Sequence, residues 1–262
     1  MNENLVEIKT VQSGEVRNLI DALKDILTDA NFQFSKEGIK CTAMDASHTV
    51  LVHLKLNADK FDFFHCEKTI TVGIAMSNFY KFIKTMNNND ILTLYIKKND
   101  VNVLGIKMEN SDKNSVIDFS LNLMDLNDET LEISPVEFDS ILTLPSNDFQ
   151  KYCRDFSGFS HTLEIQNIGD ELIFKCNGDI GSSTQIIKPN NSSGLSFNKN
   201  TDNIIQGNFA LKHLVLFTKC TGLCSTIKMF LKNDYPLIIE YSIANLGTIK
   251  LCLAPKSDDK KE

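Results

Sequence analysis

The fold is decided by a stretch near the amino terminus, SGEVRNLIDALKDILT (residues 13–28), and by the segments that follow it. Its apolar residues recur at i, i+3, i+4 and i+7 spacing, which predicts an amphipathic helix. Residues 32–35 and 38–45 come next, and their apolar alternation around a turn at 36–38 predicts two paired strands. The stretch therefore predicts a helix followed by an antiparallel hairpin.

This helix-plus-hairpin unit occurs a second time. After a proline, residues 146–156 predict another helix with Ser146 as its N-cap, and strands follow at 163–166 and 173–179. A different helix-plus-strands unit also occurs twice, starting at the helix windows 77–86 and 208–221. Repeats of this kind predict two similar domains with four helices and mostly antiparallel sheet, which is the α+β class.

The domain limits follow from composition. We predict an N-terminal domain over 1–123, a connecting linker over 124–139, a C-terminal domain over 140–256 and a charged tail over 257–262. The linker holds six acids and no base, and Pro135 blocks a helix within it. It is expected to run extended over the surface.

The charge of the chain is unevenly distributed. A net charge of −7 and a pI near 5.3 disfavour nucleic-acid binding if the charge is spread evenly. The four helix windows, however, contain eight bases against five acids, and the bases of each helix are three or seven residues apart. Each pair therefore shares a helix face. These bases are Arg17, Lys24, Lys81, Lys84, Lys151, Arg154, Lys212 and Lys219.

Two interpretations of these faces stay open at this point. They are ordinary solvated helix faces, or they form one basic surface that attracts phosphates without regard to sequence. No aromatic residues alternate with the bases, so stacking of single-stranded bases is not indicated.

Catalytic and metal-binding patterns are missing from the sequence. There is no Gly-Lys dipeptide for a phosphate-binding loop, and His48 and His53 fall on opposite faces of an apparent strand. Cys220 and Cys224 lack a second ligand pair. We therefore expect no enzyme, no metal and no cofactor. The seven scattered cysteines, with no signal peptide and no membrane-length apolar run, predict an intracellular protein with reduced thiols that is not secreted.

Along residues 5–256 the chain resembles sliding clamps of the proliferating cell nuclear antigen family. The resemblance rests on segments that occur in the family's order and spacing: Asp21-Ala-Leu-Lys-Asp25, Ala43-Met-Asp-Ala-Ser-His48, Leu123-Met-Asp-Leu126, Cys153-Arg-Asp155, Phe217-Thr-Lys219 and Leu253-Ala-Pro-Lys256. It implies the DNA-clamp fold in a closed homotrimeric ring whose helices line a central hole around double-stranded DNA. The implied role is DNA replication and repair, in the nucleus or another intracellular site of replication.

The same resemblance implies which residues contact DNA. The family's channel bases fall on the eight helix bases named above, and one further family base is replaced by Asn18. The family's Cys-Asp-Arg-Asn loop becomes Cys66-Glu-Lys-Thr69, which keeps Lys68 as a base. The lysine that is ubiquitinated in many members falls on Gly169, so this form of regulation is not implied here.

Partner proteins are implied to bind through short peptides in an apolar groove. DNA polymerase, the clamp loader and other replication factors are the implied partners. The groove maps to Met44, His48, Leu51, Leu131, Ile133, Pro236, Ala254, Pro255 and Lys256. Aromatic positions of the family in and near this groove become Phe138 and Cys252, so its shape is expected to differ.

Subunit contacts are implied at two strands. One edge is Ser115–Phe119, which includes Phe119, and the other is Gly181–Ile187, which includes Ile186. The alternative function is a clamp-like interaction scaffold in a heterotrimeric checkpoint-type ring. The eight retained bases favour the DNA clamp, because a pure scaffold has no need of them.

Overall fold

The structure is a computed structural model that describes residues 3–127, 136–190 and 192–256. The centre of the predicted linker, 128–135, and the predicted tail, 257–262, lie outside the described residues. The chain divides into two compact units. Unit 1 holds the described residues within Met1–Ala46, Val52–Glu132 and Ser242–Ile249; unit 2 holds those within Ser47–Leu51, Ile133–Tyr241 and Lys250–Glu262.

The first part of the chain supplies the elements of unit 1. In order they are β1 (Asn4–Thr10), α1 (Ser13–Ile26), β2 (Asp29–Ser35), β3 (Gly38–Met44), β4 (Val50–Asn57), a 3₁₀ helix (Ala58–Lys60), β5 (Phe63–Cys66), β6 (Ile70–Ala75), α2 (Met76–Ile83), β7 (Ile91–Lys97), β8 (Asp100–Asn110) and β9 (Ser115–Asn122).

The second part of the chain supplies the elements of unit 2. These are β10 (Ser140–Pro145), α3 (Ser146–Ser157), β11 (Thr162–Ile168), β12 (Glu171–Gly178), β13 (Gly181–Ile187), β14 (Ser196–Lys199), β15 (Ile205–Ala210), α4 (Leu211–Phe217), a 3₁₀ helix (Thr218–Leu223), β16 (Thr226–Leu231), β17 (Leu237–Ile243) and β18 (Gly247–Leu253). Ser242–Ile249, from the end of β17 into β18, belong to unit 1.

In each unit the strands form two series of hydrogen-bonded neighbours. In unit 1 the strand orders are β5-β1-β7-β8-β9 and β6-β2-β3-β4, and in unit 2 they are β13-β12-β11-β15 and β14-β10-β16-β17. The predicted hairpin after α1 is confirmed, since Ser35 pairs with Gly38 in an antiparallel ladder. The equivalent hairpin in unit 2 pairs Ile168 with Glu171.

Each unit also contains one pair of packed helices, α1 with α2 and α3 with α4. The helices bury the apolar stripe that their spacing predicts. Leu23 of α1, Ile83 of α2, Phe149 of α3 and Leu214 of α4 are all fully buried. Burial of such side chains stabilises each unit by roughly 1.5–3 kcal/mol per residue. The α+β class with two similar domains is confirmed.

Three local predictions differ from the structure. Residues 208–210 end strand β15, and α4 begins only at Leu211. The N-cap of α3 is Pro145, and the Ser146 hydroxyl donates to the Cys224 carbonyl instead, at 2.6 Å. His48 precedes β4 in a turn with φ of +53°, so it does not lie in a strand. In each case a partner distant in sequence, or a turn, replaces the expected local pattern.

The two predicted subunit edges are edge strands. β9 ends the five-stranded sheet and β13 ends the four-stranded sheet. Val116 of β9 and Ile186 of β13 expose 58% and 50% of their surface. Phe119, in contrast, is half-buried and stacks on Phe82 of α2, with ring centroids 4.9 Å apart.

Gly73 on β6 allows the chain after β9 to lie against this strand. The Met124 N–H donates to the Gly73 carbonyl at 2.8 Å, and the Gly73 N–H donates back at 3.2 Å. A Cβ atom at Gly73 would lie 2.5 Å from the Met124 carbonyl oxygen and 2.7 Å from Leu126 Cγ. Only glycine permits this approach without displacing the start of the linker.

We therefore expect Gly73→Ala to lower the free energy of unfolding by about 1–3 kcal/mol, since the added methyl overpacks the site. Urea denaturation followed by circular dichroism measures this. Gly158→Ala is the control, because φ at Gly158 is −70° and a Cβ there meets its nearest atom at 3.4 Å. Equal stability of the Gly73 variant and the wild type would contradict the docking of residues 124–126 on β6.

Candidate nucleic-acid interface and peptide groove

The eight helix bases fall into two groups by exposure. Six of them are exposed: Lys81, Lys84, Lys151, Arg154, Lys212 and Lys219. Arg17 and Lys24, both on α1, are only partly exposed. The Lys68 side chain, after β5, is exposed as well. Three of the four helix windows therefore present their bases openly to solvent.

Arg17 is engaged by the segment that follows α2. Its guanidinium donates to the Met86 carbonyl at 2.7 Å and to Asn88 Oδ1 at 2.5 Å. The Ser13 hydroxyl lies within hydrogen-bond distance of the Asn87 and Asn88 carbonyls, at 3.2 and 3.1 Å. The first turn of α1 thus holds residues 86–88, and the planar fork of an arginine suits two acceptors at once.

Asp90 also holds the segment after α2, through hydrogen bonds to Asn87. Its buried carboxylate accepts hydrogen bonds from the Asn87 N–H at 2.8 Å and from Asn110 Nδ2. Burial raises the pKa of Asp90, but these hydrogen bonds outweigh it, so the pKa is lowered overall. The sequence signal for this network is the run Asn87-Asn-Asn-Asp90, which the charge pattern of the chain alone does not single out.

Lys24 is paired with acids on its own helix. Its ammonium lies 2.9 Å from Asp21 Oδ1 and 2.8 Å from Asp25 Oδ1. It also lies 4.7 Å from the centre of the Tyr80 ring on α2. Burial lowers the pKa of Lys24, but hydrogen bonds and charge attraction from the two acids raise it more. The positive charge is thus kept and balanced locally.

Five of the other bases are less engaged than Arg17 and Lys24. Lys81 donates to Asn78 Oδ1 at 3.1 Å, and Arg154 Nε lies 3.6 Å from Asp155 Oδ1 in an exposed pair. Lys84, Lys151 and Lys212 form no ion pair with another described residue. These side chains are available for phosphate oxygens, to which lysine and arginine donate readily.

The C-terminal segment of unit 2 carries three of the predicted groove residues, Ala254, Pro255 and Lys256. The Ala254 N–H donates to the Thr49 carbonyl at 3.2 Å, which sets the segment beside the turn that carries His48. The Lys256 N–H donates to the Asn208 carbonyl of β15 at 2.8 Å. The predicted groove residues of this unit are His48, Leu51, Pro236, Ala254, Pro255 and Lys256.

The remaining predicted groove residues lie elsewhere. Met44 ends β3 in unit 1 and is half-buried. Leu131 and Ile133 lie outside the described residues.

An aromatic cluster stands next to Pro236. Phe138 packs edge-on against Phe230 and Tyr235, with ring centroids 5.4 and 5.6 Å apart. Lys250 Nζ lies 5.3 Å from the centre of the Phe230 ring. Sequence reasoning singled out Phe138 but missed Phe230 and Tyr235, because about 90 residues separate them from Phe138 in the chain. The sequence signal for Tyr235 was its position directly before Pro236.

Six of the seven cysteine thiols are buried, and burial makes a thiol less reactive. All seven cysteines lie in the described ranges and none forms a disulfide. Burial raises the pKa of Cys252, near the groove, to about 11 and that of Cys220 to about 12. Both therefore stay protonated at neutral pH.

Family models match the chain from residue 5 to residue 256. The model of the proliferating cell nuclear antigen N-terminal domain matches residues 5–132, and that of the C-terminal domain matches residues 132–256. The chain belongs to the proliferating cell nuclear antigen family. The resemblance noted in the sequence is thereby confirmed.

Curated relatives agree with this membership over nearly their full length. The chain is 33% identical over 255 residues to a probable DNA polymerase sliding clamp 1 of Paramecium bursaria Chlorella virus 1, covering 96% of this chain and 97% of that protein. It is 33% identical to the proliferating cell nuclear antigen of Chaetomium thermophilum, over 97% of this chain and 99% of that protein. Identity to the Caenorhabditis elegans protein of the same name is 32%, over 97% and 98%.

No described helix is both long and apolar enough to cross a membrane. No group of three or more histidine, cysteine, aspartate or glutamate side chains in the described ranges is arranged to hold a metal ion.

A substitution at Arg17 tests whether its contacts hold residues 86–88. We expect Arg17→Lys to lower the free energy of unfolding by about 1–2 kcal/mol although the charge is kept, because lysine lacks the two separate nitrogens with which the guanidinium reaches Met86 and Asn88. Lys84→Arg is the control and should leave stability unchanged. Urea denaturation of both variants checks this. A fully stable Arg17→Lys protein would show that the guanidinium contacts do not hold residues 86–88.

Proposed function

We propose that this chain is a DNA polymerase sliding clamp that encircles duplex DNA and raises polymerase processivity. The single observation that carries the proposal is the set of six exposed helix bases in an otherwise acidic member of this family. Lys81, Lys84, Lys151, Arg154, Lys212 and Lys219 are the proposed phosphate contacts, with Lys68 as a further base. No catalytic role is proposed.

Arg17 and Lys24 take a different part in this proposal. Both were expected to contact DNA, but Arg17 donates to Met86 and Asn88, and Lys24 is balanced by two acids. We assign Arg17 a positioning role that keeps the end of α2, and with it Lys81 and Lys84, in place. Lys24 then contributes little to the positive electrostatic potential at the bound DNA.

The proposed contacts are to phosphates and not to base edges. A clamp that slides must not be held at one sequence, and phosphate contacts carry no sequence information. Binding should therefore be weak, independent of sequence and strongly reduced by salt.

Reversing two exposed bases tests the DNA surface. The double variant Lys81→Glu/Lys84→Glu should reduce DNA retention and polymerase processivity about tenfold, since each lost phosphate contact also replaces attraction by repulsion. Primer extension on a long template with loader and polymerase measures processivity, and the salt dependence of DNA retention measures the charge effect.

Lys40→Glu/Lys55→Glu is the matched control for bulk charge. Both lysines are exposed on strands β3 and β4, whose buried side chains, such as Ile39 and Leu54, alternate with them. Equal loss of processivity in both double variants would refute the helix bases as the DNA surface.

We further propose that three copies close into a ring by pairing β9 of one subunit with β13 of the next. An edge strand exposes unpaired N–H and C=O groups, and pairing satisfies them. Exposed apolar side chains on both strands, Val116 and Ile117 on β9 and Ile186 on β13, would be covered at the same time. Phe119 supports the edge from behind through its stack on Phe82.

Ile186→Asp should convert the trimer to monomers without unfolding the chain, because this side chain is half exposed in the single copy and a buried charge would face the neighbour. Light scattering should then report 29.5 kDa where the wild type gives three times that mass. Ile168→Asp is the control, since Ile168 is exposed on β11, inside the sheet order. A trimeric Ile186 variant would contradict this placement of the edges.

Partner proteins are proposed to bind through short peptides in the groove of Met44, His48, Leu51, Leu131, Ile133, Pro236, Ala254, Pro255 and Lys256. The partners would be DNA polymerase, a clamp loader and other replication and repair proteins, at the nucleus or another site of DNA replication. The aromatic cluster of Phe138, Phe230 and Tyr235 supports an apolar pocket for aromatic and aliphatic anchors. The alternative of a heterotrimeric checkpoint-type ring finds no support in the relatives named above.

A further inference from the structure

A tyrosine side chain crosses the outer strands of the five-stranded sheet in unit 1. Tyr95 stands on β7, directly opposite Gly105 of β8 in the antiparallel register. Its hydroxyl donates to the carboxylate of Asp118 on β9 and lies 3.0 and 2.9 Å from the two carboxylate oxygens. These distances suit a hydrogen bond to a charged acceptor. One side chain therefore joins three neighbouring strands, and the last of them is the edge strand β9.

Gly105 makes room for the tyrosine ring. A Cβ atom at this position would lie 2.1 Å from Tyr95 Cζ, so any other residue here would displace the ring. Gly105 is not among the glycines with positive φ, and its backbone conformation therefore does not require glycine. Glycine within a strand often marks the close approach of another group, and an aromatic ring on the neighbouring strand covers the bare backbone. Tyr95 and Gly105 are thus a matched pair.

The Tyr95 hydroxyl is a lasting donor for Asp118. Burial raises the pKa of Tyr95, and the hydrogen bond and negative charge of Asp118 raise it further. The hydroxyl therefore keeps its proton at neutral pH. Lys107 stands opposite Asp118 in the register of β8 and β9, but its ammonium pairs with Glu109 at 3.1 Å. The nearest base on the neighbouring strand is thus engaged elsewhere.

Asp118 is the single charged residue on the two strands that are proposed to meet between subunits. β9 (Ser115–Asn122) contains no other charged residue, and β13 (Gly181–Ile187) contains none. In the single copy Asp118 is exposed. A neighbouring strand beside β9 would displace water from this carboxylate, and β13 has no base to replace that water. Because a carboxylate that loses water without gaining a partner is costly, a hydrogen bond from its own subunit lowers the cost of pairing.

The other face of β9 is held by α2. Side chains alternate across a strand, so Phe119 and Asp118 point to opposite faces. The Phe119 ring stacks on Phe82 of α2 with centroids 4.9 Å apart. β9 is therefore fixed from both faces, by an aromatic stack on the helix side and by the Tyr95 hydroxyl on the other side. An edge strand fixed in this way presents its free N–H and C=O groups in one register.

We propose that Tyr95 is a positioning residue for ring closure. By donating to Asp118 across Gly105, it holds β9 in the conformation that pairs with β13 of the next subunit, and it supplies the hydrogen bond that Asp118 needs once the neighbour covers it. This inference rests on the proposed ring. It adds to the ring that a side chain on β7, two strands in from the edge, determines how tightly the subunits associate.

Subunit exchange tests the inference. Trimers labelled with a fluorescence donor are mixed with trimers labelled with an acceptor, and the rise of energy transfer gives the exchange rate. Mass photometry of a dilution series gives the concentration at which the trimers dissociate. We expect Tyr95→Phe to exchange subunits about tenfold faster and to dissociate at an about tenfold higher concentration than the wild type, as the loss of one hydrogen bond to a charged group allows.

Tyr80→Phe is the matched control. The Tyr80 hydroxyl is hydrogen-bonded to Asp21, so this substitution also removes a tyrosine–aspartate hydrogen bond from unit 1. Tyr80 lies on α2 two residues before Phe82, which places the two side chains on opposite sides of the helix. The control should therefore leave the support of β9 and the exchange rate unchanged.

Variants of Asp118 separate positioning from general stabilisation. Asp118→Asn keeps an oxygen that accepts the Tyr95 hydrogen bond and should exchange at close to the wild-type rate, whereas Asp118→Ala should match Tyr95→Phe. The double variant Tyr95→Phe/Asp118→Ala should exchange no faster than either single variant, because both substitutions remove the same hydrogen bond. Additive effects of the two substitutions would overturn the inference. Folding of every variant is checked by its thermal unfolding curve.

Failure of this inference is distinguishable from failure of the proposed ring. If Tyr95→Phe lowers the temperature of unfolding but exchanges subunits at the wild-type rate, the hydroxyl stabilises only unit 1, so the inference is refuted and the ring stands. The same conclusion follows if Tyr80→Phe speeds exchange as much as Tyr95→Phe does. If the wild type is monomeric at micromolar concentration, or Ile186→Asp stays trimeric, the proposed ring is refuted and the inference falls with it.

Discussion

The structure depends on the burial of one apolar stripe on each helix. Leu23 of α1 and Phe149 of α3 are fully buried, and each helix pairs with a second helix of its own unit. The apolar side chains recur every three or four residues, so they occupy one arc of the helix and leave the other arc to solvent. Charged residues can stand only on that second arc. Burial thereby sets where the bases of an acidic chain can lie.

Position on the solvent arc does not make every base equivalent. Arg17 and Lys24 share a face of α1, yet the guanidinium already donates to two oxygens and the ammonium lies beside two acids, so both have fewer donors left for a further anion. The exposed bases of α2 and α3 have no acidic partner among the described residues or, like Arg154, have one in an exposed ion pair. Exposed ion pairs contribute little. A count of lysines and arginines therefore overstates the positive surface of α1.

The C-terminal segment of unit 2 is held in place by the backbone. Two backbone hydrogen bonds, from Ala254 to Thr49 and from Lys256 to Asn208, hold the segment between a turn and an edge strand. The segment that carries the predicted groove residues Ala254 and Lys256 is thus fixed by main-chain contacts and does not depend on its side chains for its position.

The sequence by itself determined the repeated units, the α+β class, the four amphipathic helices and the turn between Ser35 and Gly38, because these follow from residue spacing and turn chemistry within a short stretch of chain. Only the tertiary structure decided that Ser146 bonds to Cys224, that residues 208–210 end a strand, that Arg17 holds residues 86–88 and that Tyr235 packs on Phe138. Each of these features joins residues that are far apart in the chain, and no local periodicity records which of them will meet when the sheets and helices pack.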